Sequence, residues 1–137
     1  MVDAILDGIS QTLATGFPTC RVYGDERVRQ GLKTPGFFVG LGTCKQRQLP
    51  GGMIQLRQSV EVTYFPERQG DYKELWAVGT KALGLMDPLT LPDGSMVRAT
   101  AKTCDTGDGL MHIRATYTLR LKPTETSELM GDITIQM

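Results

Sequence analysis

One histidine, His112, is all the imidazole that this chain of 137 residues possesses. A triad needs a base beside its nucleophile, and a lone histidine on the polar side of a strand leaves the serines and cysteines nothing to pair with. Cysteine is almost as scarce. Cys20, Cys44 and Cys104 are odd in number, far apart, and without a C-x-x-C, so neither a disulfide framework nor a zinc site fits; reduced, buried or half-buried thiols are expected. Net charge is absent, with 15 basic and 15 acidic residues, which speaks against a dedicated nucleic-acid binder, since phosphate neutralisation requires a basic surplus. No apolar run approaches the roughly 20 residues of a membrane span. The opening MVDAILDGIS has an early acid and no basic region, so it is not expected to be a signal peptide. Gly40-x-Gly42 lacks the third glycine and following helix of a dinucleotide site. Asp105–Gly109 is shorter than the ~12-residue calcium loop and reads as a hairpin turn. Phe37-Phe38 and Tyr64-Phe65 could stack bases, but core aromatics are the simpler reading. These absences leave no catalytic residue, cofactor or metal ligand to assign, and the expectation is a protein that is not an enzyme.

What the chain does have is pattern. Met53–Pro66 places Ile54, Leu56, Gln58, Val60, Val62 and Tyr64 at even positions and mostly polar residues at odd ones. A period of two means a strand with one face on a core, and Pro66 ends it. The period then changes. Asp71-x-x-Glu74 is a helix-start box, with Tyr72, Leu75, Trp76, Gly79, Ala82, Leu83 and Met86 on one helical face.

Upstream, Asp3 caps an expected helix running to Thr15, with Ile5, Leu6, Ile9 and Leu13 on one face and Gly16 as its stop. Thr19–Tyr23 is a short strand, Gly24–Pro35 a long polar loop, and Gly36–Arg47 a strand with Phe37, Val39 and Leu41 on one face. Gln48–Gly52 then turns the chain into Met53–Pro66 as a hairpin whose tip projects from the body. Downstream, Leu91–Gly94 is a tight turn. Met96–Cys104 alternates with Val97, Ala99 and Ala101 inward, and DTGDG is a second hairpin turn. Leu110–Leu121 carries the strongest alternation, with Met111, Ile113, Ala115, Tyr117, Leu119 and Leu121 on one face. The architecture that follows is α+β: one mainly antiparallel sheet with two helices on one face, in the order α-β-β-β-α-β-β. Val60, Val62, Tyr64, Leu75, Trp76, Ile113, Ala115 and Tyr117 are the expected core. The sheet's second face is polar, hence either wet or set against another subunit.

Charge is unevenly spread. Cys20–Val60 holds Arg21, Arg27, Arg29, Lys33, Lys45, Arg47 and Arg57 against Asp25 and Glu26, whereas Glu125, Glu128 and Asp132 follow Pro123 with no base. Residues 1–123 read as one domain and 124–137 as an acidic extension with a strand-like Ile133-Thr134-Ile135. A segment of that kind can add to a neighbour's sheet edge. Arg27, Arg29, Lys33, Lys45 and Arg47 on one side, with Glu125, Glu128, Asp132, Ile133 and Ile135 on the other, are therefore the candidate subunit-interface residues.

Several segments, in order, resemble a known family. Val22-Tyr23-Gly24-Asp25-Glu26, Gln30-Gly31-Leu32 and Pro35-Gly36-Phe37-Phe38-Val39 match the N-terminal half of a phage tail terminator family. Val62-Thr63-Tyr64-Phe65-Pro66 is similar to the strand before its helix, and Asp108-Gly109-Leu110-Met111-His112-Ile113 to its last hairpin, with Ile113 where an aromatic is usual. The resemblance covers roughly residues 1–122. It implies a structural protein of the virion, a ring of six subunits that caps the tail tube and stops its polymerisation. Its partners would be itself, the tube protein below and a neck or connector protein above, with DNA passing through unrecognised and no membrane involved. The resemblance leans towards a contractile tail. Assembly would take place in the host cytoplasm. Two other classes stay open: a different neck or connector-completion protein, and a non-viral small-ligand-binding α+β domain.

Overall fold

The structure is a computed structural model, and it describes residues 2–24, 34–68 and 71–121. Helix α1 is Val2–Gly16. Strands β1 (Arg21–Tyr23), β2 (Gly36–Gln48) and β3 (Ile54–Phe65) precede helix α2 (Tyr72–Leu85). Strands β4 (Leu89–Thr90), β5 (Met96–Val97), β6 (Ala99–Gly107) and β7 (Leu110–Leu121) follow it. The main sheet has the order β1-β2-β3-β7-β6, and β4 and β5 form a separate two-stranded ribbon. Only the β1–β2 pair is parallel; the other pairings of the main sheet are antiparallel. The α+β order expected from the sequence therefore holds, with the small ribbon added after α2.

Both helices lie on one face of the sheet. α1 packs on β1, β2 and β4, while α2 packs on β3, β6 and β7. The face they cover carries the alternating residues of the central strands: Val60, Val62, Tyr64, Met111, Ile113, Ala115 and Tyr117, all buried. Ile5, Ile9 and Leu13 of α1 and Leu75, Ala82 and Met86 of the α2 segment close the core from above. Gly79 permits the tight seating of α2, because a Cβ there would lie 2.9 Å from the Met111 side chain. Lys81 then ties the two helices together. Its Nζ donates to the Gly16 carbonyl at 2.8 Å and stands 4.7 Å from the Phe17 ring centroid, a cation at a helix C-terminus and over an aromatic face.

Two bulges change which residues face inward. Between Leu41 and Cys44 β2 carries one residue more than β3, and between Ala99 and Ala101 β6 carries one more than β7. An extra residue in a period-two strand reverses the sides from that point on. Ala101, expected inside, is consequently exposed on the outer face, and Lys102 turns inward beside α2, donating to the Leu83 carbonyl at 3.0 Å. Leu41 keeps its inward phase but lies beyond the helices' cover and is 39% exposed.

Further expectations need correction. α1 begins at Val2, so Asp3 lies in its first turn and not at the cap. Cys20 and Cys104 are half-buried but Cys44 is exposed; all three are free thiols. The second hairpin turn is only Asp108-Gly109, both at positive φ (55° and 77°), the signature of a two-residue type I′ turn. Asp71 caps α2 through the Glu74 N–H at 3.1 Å, but the Glu74 carboxylate accepts from Tyr64 Oη at 2.7 Å and Glu67 N at 3.2 Å. Trp76 is the largest miss, at 41% exposed with Tyr72 at 59%. The buried stripe of α2 runs Leu75–Gly79–Ala82, and Trp76 stands roughly 100° around the helix from Leu75. Leu75→Ala should accordingly cost about 2–5 kcal/mol, and Trp76→Ala less than about 1 kcal/mol, in urea unfolding. Equal losses would return Trp76 to the core.

The α2 C-terminus is held by two buried or half-buried oxygens. Tyr117 Oη donates to the Met86 carbonyl at 2.6 Å, and burial first, then the Asp87 charge, pushes its phenol well above the ordinary value. Tyr117→Phe should cost about 1–3 kcal/mol by leaving that carbonyl unpaired, whereas no loss would mean that water replaces the hydroxyl. Asp87 Oδ1 accepts from Ala99 N and Arg98 Nε, both at 3.0 Å. The Ala99 N–H chiefly, then Arg98 and Lys102, hold its carboxyl below the usual range despite partial desolvation. A lowered carboxylate stabilises the fold fully above its unfolded value of about 3.9, and that contribution disappears as pH falls through the lower folded value. Asp87→Asn should therefore lower the unfolding midpoint at neutral pH, with the difference from wild type shrinking below about pH 3. A difference that does not change with pH would contradict this.

Candidate assembly surface

The face of the sheet opposite the helices is built from the other half of each alternation. Near its middle, Arg114 Nε lies 3.4 Å from Glu61 Oε1, and the Ser59 and Thr116 hydroxyls are 3.3 Å apart. Around them Thr43, Ser59, Glu61, Thr103, Arg114 and Thr116 line an open polar hollow of roughly 310 Å³. His112 is on this face too, its Nε2 3.3 Å from the Gly107 carbonyl oxygen. Among the described residues no group of three or more His, Cys, Asp or Glu is placed to hold a metal ion.

Toward the β2–β3 hairpin the outer face becomes uniformly basic. The reversal at Gly42–Thr43 puts Lys45 opposite Arg57 and Arg47 opposite Gln55. Across β3, Arg57 faces Thr118 and Gln55 faces Arg120. Lys45–Arg57–Thr118 and Arg47–Gln55–Arg120 are thus two adjacent cross-strand rows, holding four cations. None of the four is in an ion pair among the described residues, whose pairs are Arg98–Asp87, Lys102–Asp87 and Arg114–Glu61. Glu61 lies four residues along the strand from Arg57, about 13 Å away.

The hairpin does not project alone, because β7 accompanies it to Leu121 opposite Ile54. On the inner side Ile54, Leu56 and Leu121 form a small buried cluster of their own. The outer edge of β2 is different. β1 pairs only with Gly36–Phe38, so among the described residues Val39–Gln48 has no strand on that side. Of the ten interface candidates, Lys45 and Arg47 are thus brought together. Arg27, Arg29, Lys33, Glu125, Glu128, Asp132, Ile133 and Ile135 lie outside the described residues, as does residue 124 onward of the acidic extension. Arg57 and Arg120, which complete the basic cluster, were not among the candidates. Their alternation already put them on the polar face, but only the register shows them beside Lys45 and Arg47.

The phage tail terminator family, described as "phage tail terminator protein", matches residues 4–128. The chain belongs to that family. The match runs past Pro123, where the recognisable motifs end. No curated protein sequence is similar enough to count as a match. This terminator is therefore a structural component of the phage tail, and no helix among its described residues is long and apolar enough to cross a membrane.

Like charges directly opposed across a sheet destabilise it by a few tenths of a kcal/mol to about 1 kcal/mol. Arg57→Thr should therefore raise the melting temperature of the isolated chain slightly at low salt, and the gain should fade as salt screens the repulsion. A lower melting temperature would show that the arginine stem is needed for packing.

Proposed function

We propose that this terminator closes the head-proximal end of the tail tube as a ring of identical subunits, six in our reading. It stops addition of tube protein below and offers a docking surface to a neck or connector protein above. DNA passes through the ring without specific binding. The ring works by stoichiometric contact, not turnover, and is assembled in the host cytoplasm. The observation that carries this reading is the family match over residues 4–128. A polar sheet face and a β2 edge that carries no strand beyond Phe38 among the described residues support it, as surfaces that a head-to-tail neighbour would cover.

In this reading the acidic extension clasps the next subunit. Exposed ion pairs are each worth only about 0–1 kcal/mol, so charge biases the contact and the strand-like segment holds it. Deleting residues 124–137 should weaken self-association in sedimentation while leaving the circular dichroism spectrum unchanged; Arg27→Glu with Arg29→Glu should have a smaller, salt-sensitive effect. Association unchanged by the deletion would remove the extension from the contact. The function itself is tested by tube length. Tails assembled without this chain should be overlong, and adding it back should restore a fixed length; normal tubes in its absence would refute termination.

A further inference from the structure

The basic rows and the β2 edge, which has no strand beyond Phe38 among the described residues, belong to one surface. Along Val39–Gln48, the inner side presents Leu41, an apolar side chain left 39% exposed. The outer side presents Lys45 and Arg47, backed by Arg57 and Arg120. An occupant must therefore be extended, apolar on one side and acidic on the other. A short amphipathic strand meets all three requirements.

The chain carries such a segment. In residues 128–135, Leu129, Ile133 and Ile135 share one parity, while Glu128 and Asp132, with Met130 and Thr134, share the other. Extended backbone sends the two sets to opposite sides. With the isoleucines on the side of Leu41, both acids lie on the outer side that the basic rows share, and an antiparallel run along β2 carries Glu128 toward Lys45 and Arg47. Leu121, the last described residue, lies at the same end of the sheet as Arg120 and Gln55. β7 lies two strands in from β2 in the same sheet, and the ring reading assigns the segment to a neighbour's β2 edge.

We propose that the β2 edge from Val39 to Gln48, with Lys45, Arg47, Arg57 and Arg120, receives residues 128–135 of a second copy as an added strand. This rests on the ring reading and gives its clasp an address. The acids neutralise cations that otherwise repel one another, and the isoleucines cover Leu41. Because the strand seats on one side only, each subunit gives its segment forward and receives another from behind.

Charge exchange between full-length chains tests this. One variant carries Lys45→Glu and Arg57→Glu; the other carries Glu128→Lys and Asp132→Lys; circular dichroism confirms that both fold. Each alone should self-associate at least about tenfold more weakly than wild type in sedimentation, and their equimolar mixture should regain association. Either variant associating like wild type, or a mixture no better than its components, would overturn the proposal. If wild type does not self-associate, a labelled peptide of residues 124–137 is titrated onto the Glu128→Lys, Asp132→Lys chain. Binding that weakens about tenfold on adding Leu41→Asp, and again in high salt, supports the added strand. No binding, or binding indifferent to Leu41, overturns it. A short DNA duplex that binds wild type more tightly than this peptide binds would assign the cations to nucleic acid instead. Tube length separates the two readings: fixed length with the Lys45→Glu, Arg57→Glu chain sinks the clasp and leaves termination standing.

Discussion

The β3–β7 ladder runs without a break from Tyr64 opposite Met111 to Ile54 opposite Leu121. Everything else is placed by it. Its buried side, from Val60 to Tyr64 and from Met111 to Tyr117, is the floor on which α2 rests, with α1 beside it on β1 and β2 and in the same core. Its other side fixes the rows in which the polar residues stand. Moving one strand by one residue would exchange the two sides, so the ladder's register is the condition for both the core and the outer surface.

The ladder's two strands were legible in the sequence because both alternate strictly and neither contains a bulge, but their pairing with each other was not, since no hairpin turn joins them. α1 was legible through Ile5, Ile9 and Leu13. What escaped the sequence escaped for physical reasons. Odd positions of β2 point inward at Phe37, Val39 and Leu41, so simple alternation would turn Lys45 and Arg47 inward as well. The extra residue between Leu41 and Cys44 turns them out, and Gly40 and Gly42 hinted at a bulge without fixing its place. Ala101 was misplaced by the same kind of reversal in β6. Trp76 was expected in the core because it falls on the same broad helical face as Leu75, Gly79 and Ala82, but the buried stripe is narrower than that face. A residue some 100° from the buried stripe lies at its margin however large it is.

The candidate surface was half legible. Composition exposed the excess of bases before Val60 and of acids after Pro123, but charge counts carry no geometry. Arg57 and Arg120 belong to different ends of the sequence, and only cross-strand pairing makes them neighbours of Lys45 and Arg47. Among the described residues no acid pairs with Lys45 or Arg57, which stand opposite each other, and the proposed clasp would supply the missing carboxylates.

We have proposed that this phage tail protein works as a closed ring at the top of the tube. Electron cryo-microscopy of assembled tails, with this subunit located in the density, tests it most directly. The account predicts one ring of it at the head-proximal end, each subunit touching the next through its β2 edge. Density for it at the baseplate, within the portal ring, or along the whole tube would contradict the account.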